Sequence, residues 1–157
     1  MIQVRDGNRT LQFEGQLIGH STSRHPNSNR WVEFNLFKTV SGLYILSRVG
    51  MSLLYHKTTC EVVSRNSLKP APIASIDKAS VRCDECRPDP EFDVEVCPEK
   101  PRNWGQVCKT AADVLDALYK YDEYDNPYLT MVAQRLLQDA GDEDPLIASA
   151  WKVETIP

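Results

Sequence analysis

Two close pairs of soft metal donors, His56-x3-Cys60 and Cys83-x2-Cys86, lie within one 31-residue stretch of this 157-residue chain. Nothing else in the sequence constrains the fold as strongly. A structural zinc ion is closed by four thiolate or imidazole ligands in a tetrahedron. Each close pair can span one edge, and the loop between the pairs must then fold back so that the two edges meet. Met51 to His56 reads as a strand that delivers His56, and Arg87-Pro88 halts regular structure after the second pair. Five cysteines cannot all pair. The opening Met-Ile-Gln-Val-Arg-Asp lacks the basic-then-apolar layout of a secretory leader, so a cytoplasmic location is expected. In that reducing compartment thiols serve metals more readily than disulfides.

Two other uses of the cysteines compete with this set. Cys83, Cys86, Cys97 and Cys108 make an all-thiolate alternative, against which Cys97 and Cys108 read as small buried hydrophobes. Redox work at Cys83-Asp-Glu-Cys86 is disfavoured, because the two acidic residues between the thiols oppose the lowered pKa that such work needs.

The run Leu54-Tyr55-His56-x3-Cys60 … Cys83-x2-Cys86-Arg87-Pro88 resembles the Ada-type metal-binding domain of bacterial methyl-phosphotriester DNA repair proteins. That domain has a strand leading into Cys-x3-Cys, a loop, then Cys-x2-Cys followed by Arg or Gln and Pro. The resemblance covers about a fifth of the chain and implies a zinc cradle. In the family the first cysteine is also the methyl acceptor; here that position is His56. Imidazole cannot replace the zinc-bound sulfur nucleophile, so the resemblance implies Zn2+ held by His56, Cys60, Cys83 and Cys86 without the repair activity.

Around the cluster the chain reads as α+β. Leu11 to Gly19 alternates as a half-buried strand, His20 to Asn29 is a polar loop, and Arg30 to Val40 is an aromatic, β-branched strand. Ser41-Gly42 is a hairpin turn into a strand over Leu43 to Val49, with Gly50 separating it from the strand that carries His56. Pro70 and Pro72 exclude a long helix from 61–78, and Phe92, Val94 and Val96 mark a short strand in the Pro-rich crossing at 88–103. Beyond Trp104 the texture is helical. Thr110 caps a first helix in a capping box with Asp113. Asn126-Pro127 starts a second that stops at Gly141, and Asp144-Pro145 starts a third through Ala150, with an edge strand over Trp151 to Ile156. The expected organisation is one zinc-stapled domain: an antiparallel β-meander at 1–56, a zinc-binding connector at 57–103, and a helical subdomain of about three helices at 104–157.

Charge is split along the chain. Residues 1–88 hold 12 Lys and Arg against 7 Asp and Glu, net +5; residues 89–157 hold 6 against 15, net −9, giving −4 in all. No apolar run approaches the roughly 18 residues of a membrane span. The basic half, with Arg24, Arg30, Arg82 and Arg87, offers a nucleic-acid contact, and the acidic helical tail suits a basic protein surface. A protein partner is preferred. With no phosphate-cradling glycine motif or nucleophile-and-base pattern in view, the expected function is a non-enzymatic zinc-binding adaptor or regulatory protein. The alternative is a zinc-dependent hydrolase or nuclease with an open metal position and His20, His25 or Glu61 as base.

Overall fold

The computed structural model describes residues 1–86 and 94–152. Its strands are β1 (Ile2–Asp6), β2 (Arg9–Phe13), β3 (Gly15–Thr22), β4 (Arg30–Thr39), β5 (Tyr44–Ser52), β6 (Leu54–Lys57), β7 (Ala71–Pro72), β8 (Val81–Arg82), β9 (Glu95–Pro98), β10 (Arg102–Cys108), β11 (Lys120–Tyr121) and β12 (Pro127–Tyr128). The helices are α1 (Glu61–Arg65), α2 (Ala111–Leu118), α3 (Met131–Glu143) and α4 (Pro145–Lys152). The fold class is α+β, as expected from the sequence. The chain divides into two compact units. One comprises Met1–Arg24, Val32–Val49 and the chain from Arg102 onward; the other comprises His25–Trp31 and Gly50–Pro101.

In the first unit a four-stranded sheet of order β10-β5-β4-β3 carries the core. Alternation along β4 and β5 puts Phe34, Leu36, Tyr44 and Leu46 into a buried cluster with Cys108 of β10. The helices fill the same cluster from their apolar stripes: Val114, Leu115 and Leu118 of α2, Ala133, Leu136, Leu137 and Ala140 of α3, and Ile147 of α4. Backbones approach closely where α3 meets β3. A Cβ built on Gly19 would stand 2.8 Å from Cβ of Ala140, so the position admits only hydrogen. Asp139 of α3 accepts the backbone N–H of His20 at 2.8 Å.

The second unit is built on a sheet of order β7-β9-β6-β8. β6 pairs in parallel with β8, Tyr55 opposite Arg82, and antiparallel with β9, His56 opposite Cys97. Its buried apolar residues are few among those described: Trp31, Cys86, Val96 and Cys97.

Several local expectations are corrected. The alternating run from Leu11 is two strands, β2 and β3, broken at Glu14, and β1 precedes them in a hairpin whose turn uses Gly7 at φ 59°. β5 continues through Gly50 to Ser52, so the strand carrying His56 begins only at Leu54. Residues 102–108 form an edge strand; Asn103, Gly105 and Gln106 hid its period. The 121–126 tract is the tip of a small β11–β12 hairpin, where the Asp122 carboxylate accepts the N–H groups of Tyr124 and Asn126. Pro127 therefore sits in a strand and Thr130 caps α3, because the fixed φ of proline suits extended backbone as well as a first helical turn. Gly141 lies inside α3, where a Cβ would press on Ala148 at 3.3 Å, so it serves helix packing instead of helix termination. The Asp144-Pro145 start, the Thr110 capping box and the Gly42 turn (φ 89°) appear as expected. Trp151 and Lys152 end α4 in place of an edge strand; Phe92 and residues 153–156 lie outside the described residues.

Candidate metal centre

The parallel pairing of β6 with β8 creates the cluster. Both strands run to the same end, so the register of Tyr55 with Arg82 sets the residues that follow, His56 and Cys83, side by side. The Cys83 N–H donates to Tyr55 O at 2.9 Å and holds that register one residue further. Cys86 returns to the site through a single 3-10 turn at Asp84–Cys86, its N–H bonded to Cys83 O at 3.2 Å. On the other side the chain turns tightly after β6: the Cys60 N–H donates to Lys57 O at 3.0 Å, and α1 starts immediately afterwards.

The result brings together His56, Cys60, Cys83 and Cys86, with all four donor atoms within 4.8 Å of one another. Nδ1 of His56 lies 3.5 Å from Sγ of Cys60 and 3.6 Å from Sγ of Cys86. A tetrahedral zinc with ordinary Zn–S and Zn–N bonds separates its sulfur and nitrogen ligands by about 3.6 Å, so this cluster can hold a metal ion with little rearrangement. His56 and Cys86 are buried, while Cys60 and Cys83 are half-buried. Burial, with Cys60 and Cys83 hydrogen-bonding nearby, pushes the Cys86 thiol up to about 12 against a lowering contact from the Lys57 backbone.

Behind the imidazole stands a group that sequence reasoning missed. Glu99 Oε2 lies 2.8 Å from Nε2 of His56, on the side of the ring away from the sulfurs. The same carboxylate accepts Nε and Nη2 of Arg30 at 3.2 and 2.8 Å and the hydroxyl of Ser52 at 2.6 Å. Burial pushes the Glu99 carboxyl up, but the bonds from Arg30, Ser52 and His56 and the Arg30 charge outweigh it and hold the group at about 2. Its backbone N–H, bonded to Leu54 O at 2.9 Å, ties it to the start of β6. The sequence shows only a glutamate two residues beyond Cys97, one acid among many, and the cross-strand register that aims it is tertiary.

The rival ligands fall elsewhere. Cys97 is buried in β9 of the second unit, and Cys108 belongs to the apolar core of the first. Burial raises both thiols, Cys108 to about 11. Of the candidate nucleic-acid contacts, Arg30 grips Glu99, Arg82 lies over the Tyr55 ring at 5.5 Å, Arg24 is exposed, and Arg87 lies outside the described residues. His20 Nδ1 pairs with Asn35 Oδ1 at 2.8 Å, His25 lies in a turn with Ser28, and Glu61 is exposed with Arg65 at 3.8 Å.

No protein-family model, curated protein or solved structure matches the chain. The geometry therefore stands alone: a cluster of one histidine and three cysteines, with no family match behind the Ada-type resemblance. Among the described residues, no helix is long and apolar enough to cross a membrane.

Proposed function

We propose that His56, Cys60, Cys83 and Cys86 form a structural zinc site, and that the protein is a non-enzymatic adaptor whose second unit is held in shape by that ion. The observation that carries this reading is where the cluster lies. The second unit spans roughly 60 residues, a size at which burial alone is marginal. Its buried apolar side chains, among the described residues, are Trp31, Cys86, Val96 and Cys97, whereas the first unit holds a fourteen-residue buried cluster. A small unit without its own core needs a crosslink, and a four-ligand site supplies one. One histidine and three cysteines form a donor set that suits zinc, and four protein ligands leave no position for an activated water.

For the partner we favour a protein. The guanidinium groups of Arg30 and Arg82 are committed within the unit, to Glu99 and to the Tyr55 ring, which weakens the case for a phosphate-binding face. In the acidic half, Tyr121, Tyr124, Tyr128 and Met131 are exposed at 62, 77, 46 and 63% beside Asp122, Glu123 and Asp125. Tyrosine and methionine are enriched at protein interfaces, and the flanking carboxylates suit a basic surface.

Elemental analysis of the purified protein tests the metal reading: about one zinc per chain is expected, with His56→Ala and Cys83→Ser losing both zinc and thermal stability. Full stability after chelator washing sinks it. X-ray absorption showing water among the zinc ligands would move the case to the hydrolase alternative. Salt-dependent retardation of a labelled duplex or single strand would reverse the partner preference.

A further inference from the structure

We propose that Glu99 is the positioning residue of the metal centre, directing Nδ1 of His56 to the ion, with Arg30 and Ser52 holding the carboxylate in place. The proposal rests on the zinc reading and extends the site from four residues to seven. The imidazole has two nitrogens, and only the one without a proton can bind a metal. Nε2 faces Glu99 at 2.8 Å, and a carboxylate can only accept, so Nε2 carries the proton. Nδ1 then presents its lone pair to the side where Cys60 and Cys86 place their sulfurs, at 3.5 and 3.6 Å.

Glu99 cannot easily turn away. Three side chains donate to its two oxygens, from β4 (Arg30), β5 (Ser52) and β6 (His56), and its own N–H is fixed to Leu54 O. Its side chain is 9% exposed and the imidazole 1%, so neither is screened by bulk water. A ligand histidine held by a carboxylate in this way is oriented before the metal arrives and is a better donor once it has, and loss of such a partner commonly weakens metal binding about 10–100-fold. Arg30 is 26 residues from His56 in sequence, yet through Glu99 it becomes part of the same site. Its exposed guanidinium therefore has a role that its sequence context, the start of a strand after a polar loop, does not reveal.

The test is the zinc dissociation constant, measured on the full chain by competition with a chromophoric chelator. The nitrogen NMR shifts of His56 in the zinc-loaded wild type are read alongside it. Glu99→Ala is expected to weaken zinc binding about 10–100-fold with one ion per chain retained. Glu99→Gln, which keeps the shape and an accepting oxygen, should lose less, and Arg30→Gln should fall between it and wild type. The shifts should report a metal at Nδ1 and a proton at Nε2, a readout that needs no variant to fold. Wild-type affinity in Glu99→Ala, or metal at Nε2, overturns the proposal while leaving the zinc site standing. A wild type that binds no zinc overturns the zinc reading itself.

Discussion

At the scale of single residues, the first unit contains a buried polar knot that should dominate its acid response. Asp144 is 3% exposed, and its Oδ2 accepts from Lys38 at 2.9 Å and from the Tyr44 hydroxyl at 2.7 Å, while Oδ1 accepts the Leu146 N–H at 2.9 Å. Burial pushes this carboxyl up, but the bonds from Lys38, Tyr44 and Leu146 prevail and hold it below the usual value. A group whose pKa is lower folded than unfolded stabilises fully above its unfolded value, near 3.9, and the contribution disappears as pH falls through the folded one. Asp144→Asn should therefore cost about 1.5–3 kcal/mol near neutrality, the range for a hydrogen bond to a charged group. Urea titrations at stepped pH should show the gap between wild type and variant closing below about pH 4; a gap constant to pH 2 would contradict this account. Burial and the Asp144 bond raise the Tyr44 phenol, so its share is present below its unfolded pKa, near 10, and is lost as pH rises through the folded value.

At the scale of elements, the start of α3 and its contact with β3 are the informative cases. The sequence points to a start at Asn126-Pro127, whereas the structure caps the helix with Thr130, four residues on. Thr130 prevails because a helix beginning at Met131 buries Ala133, Leu136, Leu137 and Ala140, and its hydroxyl accepts the Ala133 N–H at 3.3 Å. Thr130→Ala should lower stability by about 1 kcal/mol, the usual worth of a cap. Asn126→Ala, at a surface hairpin, should stay within about 0.5 kcal/mol; equal costs in thermal melts would put the helix start in doubt. Gly19→Ala forces a methyl against Ala140 and its backbone, at 2.8 and 3.0 Å, and overpacking of that kind costs about 1–3 kcal/mol. A neutral result in the same melts would mean that α3 can shift off β3.

At the scale of the whole molecule, the two units should respond differently to loss of metal. The first carries its own apolar core, and the second, among the described residues, buries little besides the cluster and the residues beside it. Hydrogen exchange after chelation should show protection collapsing across 25–31, 50–86 and 94–101 while the amides of α2, α3 and the part of β4 from Val32 onward keep theirs. Uniform loss across both units would show that the ion stabilises the chain as one cooperative block.

Part of this was legible in the sequence because it depends on local chemistry. Donor type and close spacing named His56, Cys60, Cys83 and Cys86; aromatic and β-branched content named β4; and the Thr110 capping box and Asp144-Pro145 placed two helix starts from residues in direct contact with the backbone they cap. What stayed hidden depends on pairing between distant segments. β10 has too little apolar alternation to announce a strand, and joins the sheet through β5. Glu99 and Arg30 lie 43 and 26 residues from His56, and no spacing rule connects them. Residue types and spacing left two donor sets in view, His56 and Cys60 or Cys97 and Cys108 beside Cys83 and Cys86. Strand pairing brought the first set together and set which nitrogen of His56 faces the sulfurs and which carboxylate stands behind it, because register places side chains and register is settled by packing.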